Sequence, residues 1–343
     1  MPIREVIEAF DEHIKSIPTR FIDLSAPHIG LVWRNGIKQR HAAAFESITE
    51  ADIEQNTSHA NQCREDVIRI IVKGVVKYAI LSHTWREFGE FTYQQMTSPQ
   101  SVRDGSGWNK LTQFVRLAKL TFGCQFAWAD TACIDHQTPG DRQAAASSEF
   151  DWFRNAYVCI VYLENTRTLS ELERDIWFRR GWPLPELLAP IRIKFYGAGW
   201  EPLNVGCPRA ENDKADRNFL NALSKAAGIS VDDLRSFLPG PNRVRDKLSW
   251  ASKRQTHMPE DTTYCFTLIF VPHTKINPGL LHIIPRSREC DVFAWAGQRT
   301  KYHPAIPSSP ACYGTEHRNR EFHPNPYRYR LCGDRSFALV TII

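Results

Sequence analysis

Four short strand candidates, three of them apolar runs and the fourth alternating apolar with basic residues, constrain this chain more than any other feature. They occupy residues 77–82, 125–129, 158–163 and 191–196. The third, Val158-Cys-Ile-Val-Tyr-Leu163, is apolar throughout, as a strand buried on both faces must be. Between the first two runs, Trp108, Leu111, Phe114, Val115, Ala118 and Phe122 recur at helical spacing. Gly123 then stands where a left-handed residue ends a helix. Residues 141–157 carry Phe150, Phe153 and Tyr157 on one helical side. Strands alternating with helices imply parallel pairing through right-handed crossovers, hence an α/β fold with a parallel sheet flanked by helices. In such sheets functional groups collect beyond the carboxyl ends of the strands. That rule places Ser82-His-Thr-Trp85, the stretch from Asp130 to His136, and the loop after Leu163 along one edge.

The flanks read differently. Ile3, Val6, Ile7, Phe10 and Ile14 follow the spacing of an amphipathic helix, and residues 20–24 and 29–33 are short enough for a hairpin. Residues 41–66 are polar with little periodicity and read as a surface loop. Beyond residue 212, Phe219, Leu220, Leu223 and Ala227 form a stripe that Gly228 ends, and Ser230 with Asp233 makes a capping pair. Residues 297–334 concentrate proline, glycine, arginine and tyrosine and read as irregular. The organisation expected is an N-terminal helix and hairpin extension over 1–75, the α/β domain over 76–206, and a helical and irregular C-terminal region over 207–343.

Composition narrows the function classes. A net charge of +5 over 343 residues is too weak to demand nucleic acid or an anionic membrane as partner. The arginines and aromatics interleaved over residues 317–330 resemble a single-strand binder's pattern. No nucleic-acid fold surrounds them, so a solvated tail is the better reading. No apolar stretch approaches the roughly 18 residues needed to span a bilayer, and the charged N-terminus has no signal-peptide core. Nine irregularly spaced cysteines read as reduced thiols. A cytoplasmic protein with no membrane span and no nucleic-acid partner is expected.

The sharpest chemical cluster is Trp177-Phe-Arg-Arg-Gly-Trp-Pro-Leu-Pro-Glu-Leu-Leu-Ala-Pro190. Pro183 and Pro185 suit the first turn of a short helix, which sets Glu186 beside the positive end of its dipole and favours an ionised carboxylate there. On residue chemistry alone, Glu186 is either a reactive carboxylate or a helix-start residue paired with Arg179 or Arg180. Cys133 and His136, beside Asp130 and Asp135, raise a thiol nucleophile, against the commoner role of cysteine as a small buried hydrophobe. Asp130 and Asp135 read equally as turn caps and as ligand-binding groups. No pair among His83, Cys133, Asp135 and His136 has a zinc spacing, so no metal is expected. There is no glycine-rich phosphate loop and no dinucleotide fingerprint.

Read together, four blocks carry a family resemblance. They are Tyr78-Ala-Ile-Leu-Ser-His-Thr-Trp85, Trp128-Ala-Asp-Thr-Ala-Cys-Ile-Asp135, Ala156-Tyr-Val-Cys-Ile-Val-Tyr-Leu163 and the Trp177–Pro190 cluster. In this order, over residues 76–200, they resemble the fungal heterokaryon-incompatibility (HET) domain. Lys247-Leu-Ser-Trp-Ala-Ser-Lys-Arg254 and Glu260-Asp-Thr-Thr-Tyr264 resemble the region that follows it in many relatives, and Arg20-Phe-Ile-Asp-Leu24 their usual opening. The resemblance implies a TIR-like (flavodoxin-like) α/β fold and a role in incompatibility and regulated cell death. TIR-type enzymes are hydrolases that cleave the nicotinamide–ribose bond of NAD, and Trp182 four residues before Glu186 has their hallmark spacing. It implies Glu186 as the catalytic carboxylate, with Ser82, His83, Trp85, Asp130, Asp135 and Trp182 binding the substrate. NAD is then a substrate, and no cofactor is implied.

The chain departs from the family pattern at several places. Pro185 stands where a glutamine usually precedes the glutamate, and His136 where Lys or Gln follows Ile-Asp. Gln143-Ala-Ala-Ala146 lacks the usual glutamate near the helix start, while Glu149 takes a position that is usually apolar. Two other readings therefore stand beside NAD cleavage. One is a non-catalytic adaptor that assembles with itself or with other incompatibility proteins. The other is a divergent enzyme using the same cleft for another small molecule.

Overall fold

Among the described residues, six strands form one sheet in the order β2-β1-β4-β3-β5-β6. They are β1 (Arg20–Asp23), β2 (Leu31–Trp33), β3 (Tyr78–His83), β4 (Phe126–Trp128), β5 (Val158–Tyr162) and β6 (Ile193–Tyr196). The structure is a computed structural model that describes residues 3–60, 63–206, 211–240, 242–256 and 259–270. The stretch 297–334, read as irregular, lies outside the described residues. The four strand candidates supply β3 to β6, which pair in parallel. Every position of β3 and β5 is buried, because each lies between two other strands and under helices on both faces.

The sheet is mixed rather than parallel throughout. β1 runs antiparallel to β4, pairing Ile22 with Ala127, and β2 runs antiparallel to β1. Phe21 and Ile22 are fully buried, which a hairpin this short cannot achieve alone. It covers the edge of β4, where unpaired backbone groups would otherwise stand open.

Four helices precede β3: α1 (Arg4–Lys15), α2 (Arg34–Glu46), α3 (Glu50–Ala60) and α4 (Arg64–Val75). The stretch 41–66, expected as a loop, is therefore largely helical. Its apolar anchors are sparse, with Phe45 stacked on Phe10 of α1 at 3.6 Å between ring centroids and Ile53 buried. A local signal was nonetheless present at residues 49–52. The Thr49 hydroxyl accepts from the Asp52 N–H, and the Asp52 carboxylate accepts from the Thr49 N–H and hydroxyl, a reciprocal helix cap.

The strand connections hold α5 (Tyr93–Thr97), α6 (Gly105–Leu120), α7 (Asp130–Cys133), α8 (Pro139–Asn155) and α9 (Pro183–Leu188). After β6 come α10 (Arg217–Ala227), α11 (Val231–Ser236), α12 (Val244–Ser252) and α13 (Pro259–Thr267). Gly123 and Gly228 take left-handed conformations after α6 and α10, and the Ser230 hydroxyl accepts from the Asp233 N–H, as the spacing predicts.

The chain steps from β3 to β4 on one side, then crosses back to β5 on the other. Such a reversal opens a crevice at the carboxyl ends of the strands. The residues expected on one edge share it: His83 meets Asp130 after β4, and Arg86 after β3 pairs with Glu164 after β5. The C-terminal helices close over the same region. The Gln255 N–H donates to the Arg179 carbonyl at 2.7 Å, and its carbonyl accepts from the Gly181 N–H at 2.9 Å. A Cβ at position 181 would lie 2.4 Å from Thr256 Cγ2 and 3.0 Å from Cys265 Sγ. Glycine there lets α13 approach α9.

Candidate functional site

A cavity of about 580 Å³ opens at this edge, within the size range of small-molecule sites. The ends of β3 and β4 supply His83, Trp85 and Asp130; α8 supplies Arg142 and Glu149; α9 and its approach supply Arg180, Trp182 and Glu186. Asp261 and Tyr264 of α13 complete the wall.

Glu186 sits in the first turn of α9, as the two prolines predict, but it is buried. Its Oε2 accepts a hydrogen bond from the Ser82 hydroxyl at the end of β3. The Ser82 oxygen in turn accepts from the indole Nε1 of the fully buried Trp177 at 2.8 Å. With its oxygen engaged by the indole, the Ser82 proton is directed to the carboxylate. Burial raises the Glu186 pKa to about 8, the Ser82 hydrogen bond and the charges of Arg254 and Arg180 acting against it and that of Asp130 adding to it. The expectation of an easily ionised carboxylate is thus reversed. α9 has only six residues, and Pro183 and Pro185 carry no N–H, so the turn offers few backbone donors to set against burial.

Asp130 behaves oppositely. Burial disfavours its charge, yet hydrogen bonds from His83 and Trp85 and the imidazoles of His83 and His136 outweigh that and hold its pKa below the ordinary value. His83 Nε2 lies 3.1 Å from Oδ1, Trp85 Nε1 donates to Oδ2 at 2.6 Å, and the Thr131 N–H donates to Oδ1 at 2.8 Å. Asp130 therefore orients Trp85, whose ring meets His136 edge-on at 4.8 Å. His83 Nδ1 is buried with no partner among the described residues.

Of the residues singled out in the sequence, His83, Trp85, Asp130, Trp182 and Glu186 line the cavity. Ser82, expected to bind the substrate, does not line the cavity and lies behind Glu186, hydrogen-bonded to it. Asp135 does not line the cavity. Its carboxylate accepts from the Gln137 N–H and from the Thr138 hydroxyl at the turn into α8, and from Gln94 of α5. Cys133 is buried off the cavity, and desolvation pushes its thiol up to about 12, which denies it a nucleophilic thiolate near neutrality. Among the described residues no His, Cys, Asp and Glu groups of three are placed to hold a metal ion, and no helix is long and apolar enough to cross a membrane.

Residue chemistry alone missed four contributors. Trp177 lay in the sharpest cluster, yet only tertiary contact shows that its indole reaches Ser82. Asp261 and Tyr264 come from a segment far along the chain. Glu149 did carry a signal, an acid on an otherwise apolar side of α8. It is 8% exposed, faces the cavity, and has no hydrogen-bond partner among the described residues. Burial, reinforced by Glu186, Asp130 and Asp261, raises its pKa well above the usual carboxylate range.

Residues 78–175 match the family described as heterokaryon incompatibility protein (HET). The chain is also 32% identical over 215 residues to the vegetative incompatibility protein HET-E-1 of Podospora anserina. That likeness covers 59% of this chain and 15% of the relative, so the chain spans a small part of the relative's length. No solved structure matches. The family match takes in His83, Trp85, Asp130 and Glu149 and ends before Trp182 and Glu186.

Proposed function

We propose that this chain, whose residues 78–175 match the HET family, acts in heterokaryon incompatibility by cleaving the nicotinamide–ribose bond of NAD in a TIR-like site. One observation carries this reading: Glu186, buried at the foot of an aromatic-walled cavity, is held by Ser82 and Trp177. The four parallel strands also run in the order β4-β3-β5-β6, the second-first-third-fourth arrangement of flavodoxin-like sheets.

In this reading Trp85 and Trp182 stack on the bases and exclude water, while Arg142 and Arg180 face the diphosphate. Breaking the C–N bond sends its electron pair to the nicotinamide nitrogen, which leaves neutral. The ribose becomes oxocarbenium-like, and the ionised Glu186 favours that charge. Water adds at the ribose carbon and releases one proton, giving ADP-ribose and nicotinamide.

The test is incubation of the purified protein with NAD, followed by chromatography for free nicotinamide. Release above the rate without protein supports the reading. No release from a folded protein overturns it and leaves an assembly adaptor, or an enzyme for another small molecule, in its place.

A further inference from the structure

We propose that Glu149 makes this cavity a counter-ion site for a planar cationic ring of the N-substituted pyridinium class. The inference deepens the nucleotide reading by naming the charge that the site selects, and it does not depend on cleavage.

The geometry points to a ligand. Ala145 and Ala146 precede Glu149 on the cavity side of α8, so the helix leaves space and then projects one carboxyl beside it. That group is more than nine-tenths buried and accepts no hydrogen bond from any described residue. An isolated buried carboxyl is costly unless something satisfies it. An apolar residue would fill the same position at no such cost. Glu186 of α9, Asp130 after β4 and Asp261 of α13 face it and raise its proton affinity further. Arg142, Arg180, His83 and His136 border the same space. While the cavity is empty, burial and these carboxylates favour the protonated form of Glu149. A cation entering beside it offsets both burial and repulsion, so the proton leaves as the ligand binds.

The aromatic walls set the ligand's shape. Trp85, Trp182 and Tyr264 line the cavity, and ring faces attract cations as well as flat π-systems. A bare metal ion would leave these faces unused, and no three-ligand metal cluster exists among the described residues.

Calorimetry on the full chain, with the 1-methylnicotinamide cation and with neutral nicotinamide as probes, tests this. The cation should bind roughly 10-fold tighter or more, with proton release revealed by buffers of different ionisation enthalpy. Glu149→Gln should abolish both the preference and the proton release while leaving neutral nicotinamide within about 3-fold. Glu149→Asp, which keeps the charge, should retain part of the preference and serves if the Gln variant does not fold. Equal affinity for the two probes, undetectable binding of the cation, or a preference unchanged in Glu149→Gln overturns the proposal. Cation preference without NAD cleavage would sink the glycohydrolase reading and keep this site. Cleavage without the preference would do the reverse.

Discussion

The hydroxyl of Ser82 donates to the Glu186 carboxylate while its oxygen accepts the indole N–H of Trp177. Trp177 and Glu186, 95 and 104 positions from Ser82 in the chain, are thus joined to it as one unit, with the serine proton committed to the glutamate. Ser82→Ala removes the strongest interaction that favours the ionised form of Glu186 and orphans a buried indole. The expected cost is about 1–3 kcal/mol of stability, and the alkaline rise in NAD turnover should move to higher pH. A pH–rate profile beside a urea midpoint checks both, and an unmoved profile would show that the hydrogen bond does not govern Glu186.

Glu186→Gln keeps shape and removes charge. Turnover should fall on the order of 10²–10³-fold, about 3–4 kcal/mol of transition-state stabilisation, with little change in nucleotide affinity. Single-turnover kinetics with NAD, paired with a binding titration, separate the two quantities. If Glu186 only closes a helix start, the variant retains its rate.

The two buried glutamates also set a pH dependence of stability. Glu186 and Glu149 hold their protons more tightly in the folded chain than in the unfolded one. Their contribution is fully present below the unfolded value near 4.5 and is lost as pH rises through the folded values, near 8 for Glu186. The urea midpoint should therefore fall between pH 5 and pH 8. Glu149→Gln should flatten that fall and stabilise the protein at pH 8 by about 1–3 kcal/mol, with little effect at pH 5. Parallel curves for the two proteins would contradict this.

Cys133 is a packing residue in this structure, and its carbonyl accepts from the buried Arg20 guanidinium. Cys133→Ser buries a hydroxyl and should cost about 1–3 kcal/mol while leaving turnover per folded molecule unchanged. Thermal melts and active-site-normalised rates distinguish this from a nucleophile, whose loss would abolish turnover without moving the melt.

Amino-acid order alone determined the strands, the helices between them, and the edge at which chemistry collects. Runs such as residues 158–163 are apolar on both faces, a pattern that fits a strand buried on both sides between helical stretches. The Pro183–Pro185 turn likewise placed Glu186 at a helix start. The charge state of that glutamate was decided only by tertiary structure, because ionisation depends on burial and on Ser82, Asp130 and Arg254, which are distant in the chain. The same holds for the hairpin of β1 and β2. Residues 20–33 specify a turn locally, but the edge of β4 that it covers forms only when the sheet assembles. Glu149 is the clearest case: its sequence showed an acid on an apolar helix side, and only the packing of α9 and α13 against α8 turned that anomaly into an unpartnered carboxyl facing a cavity.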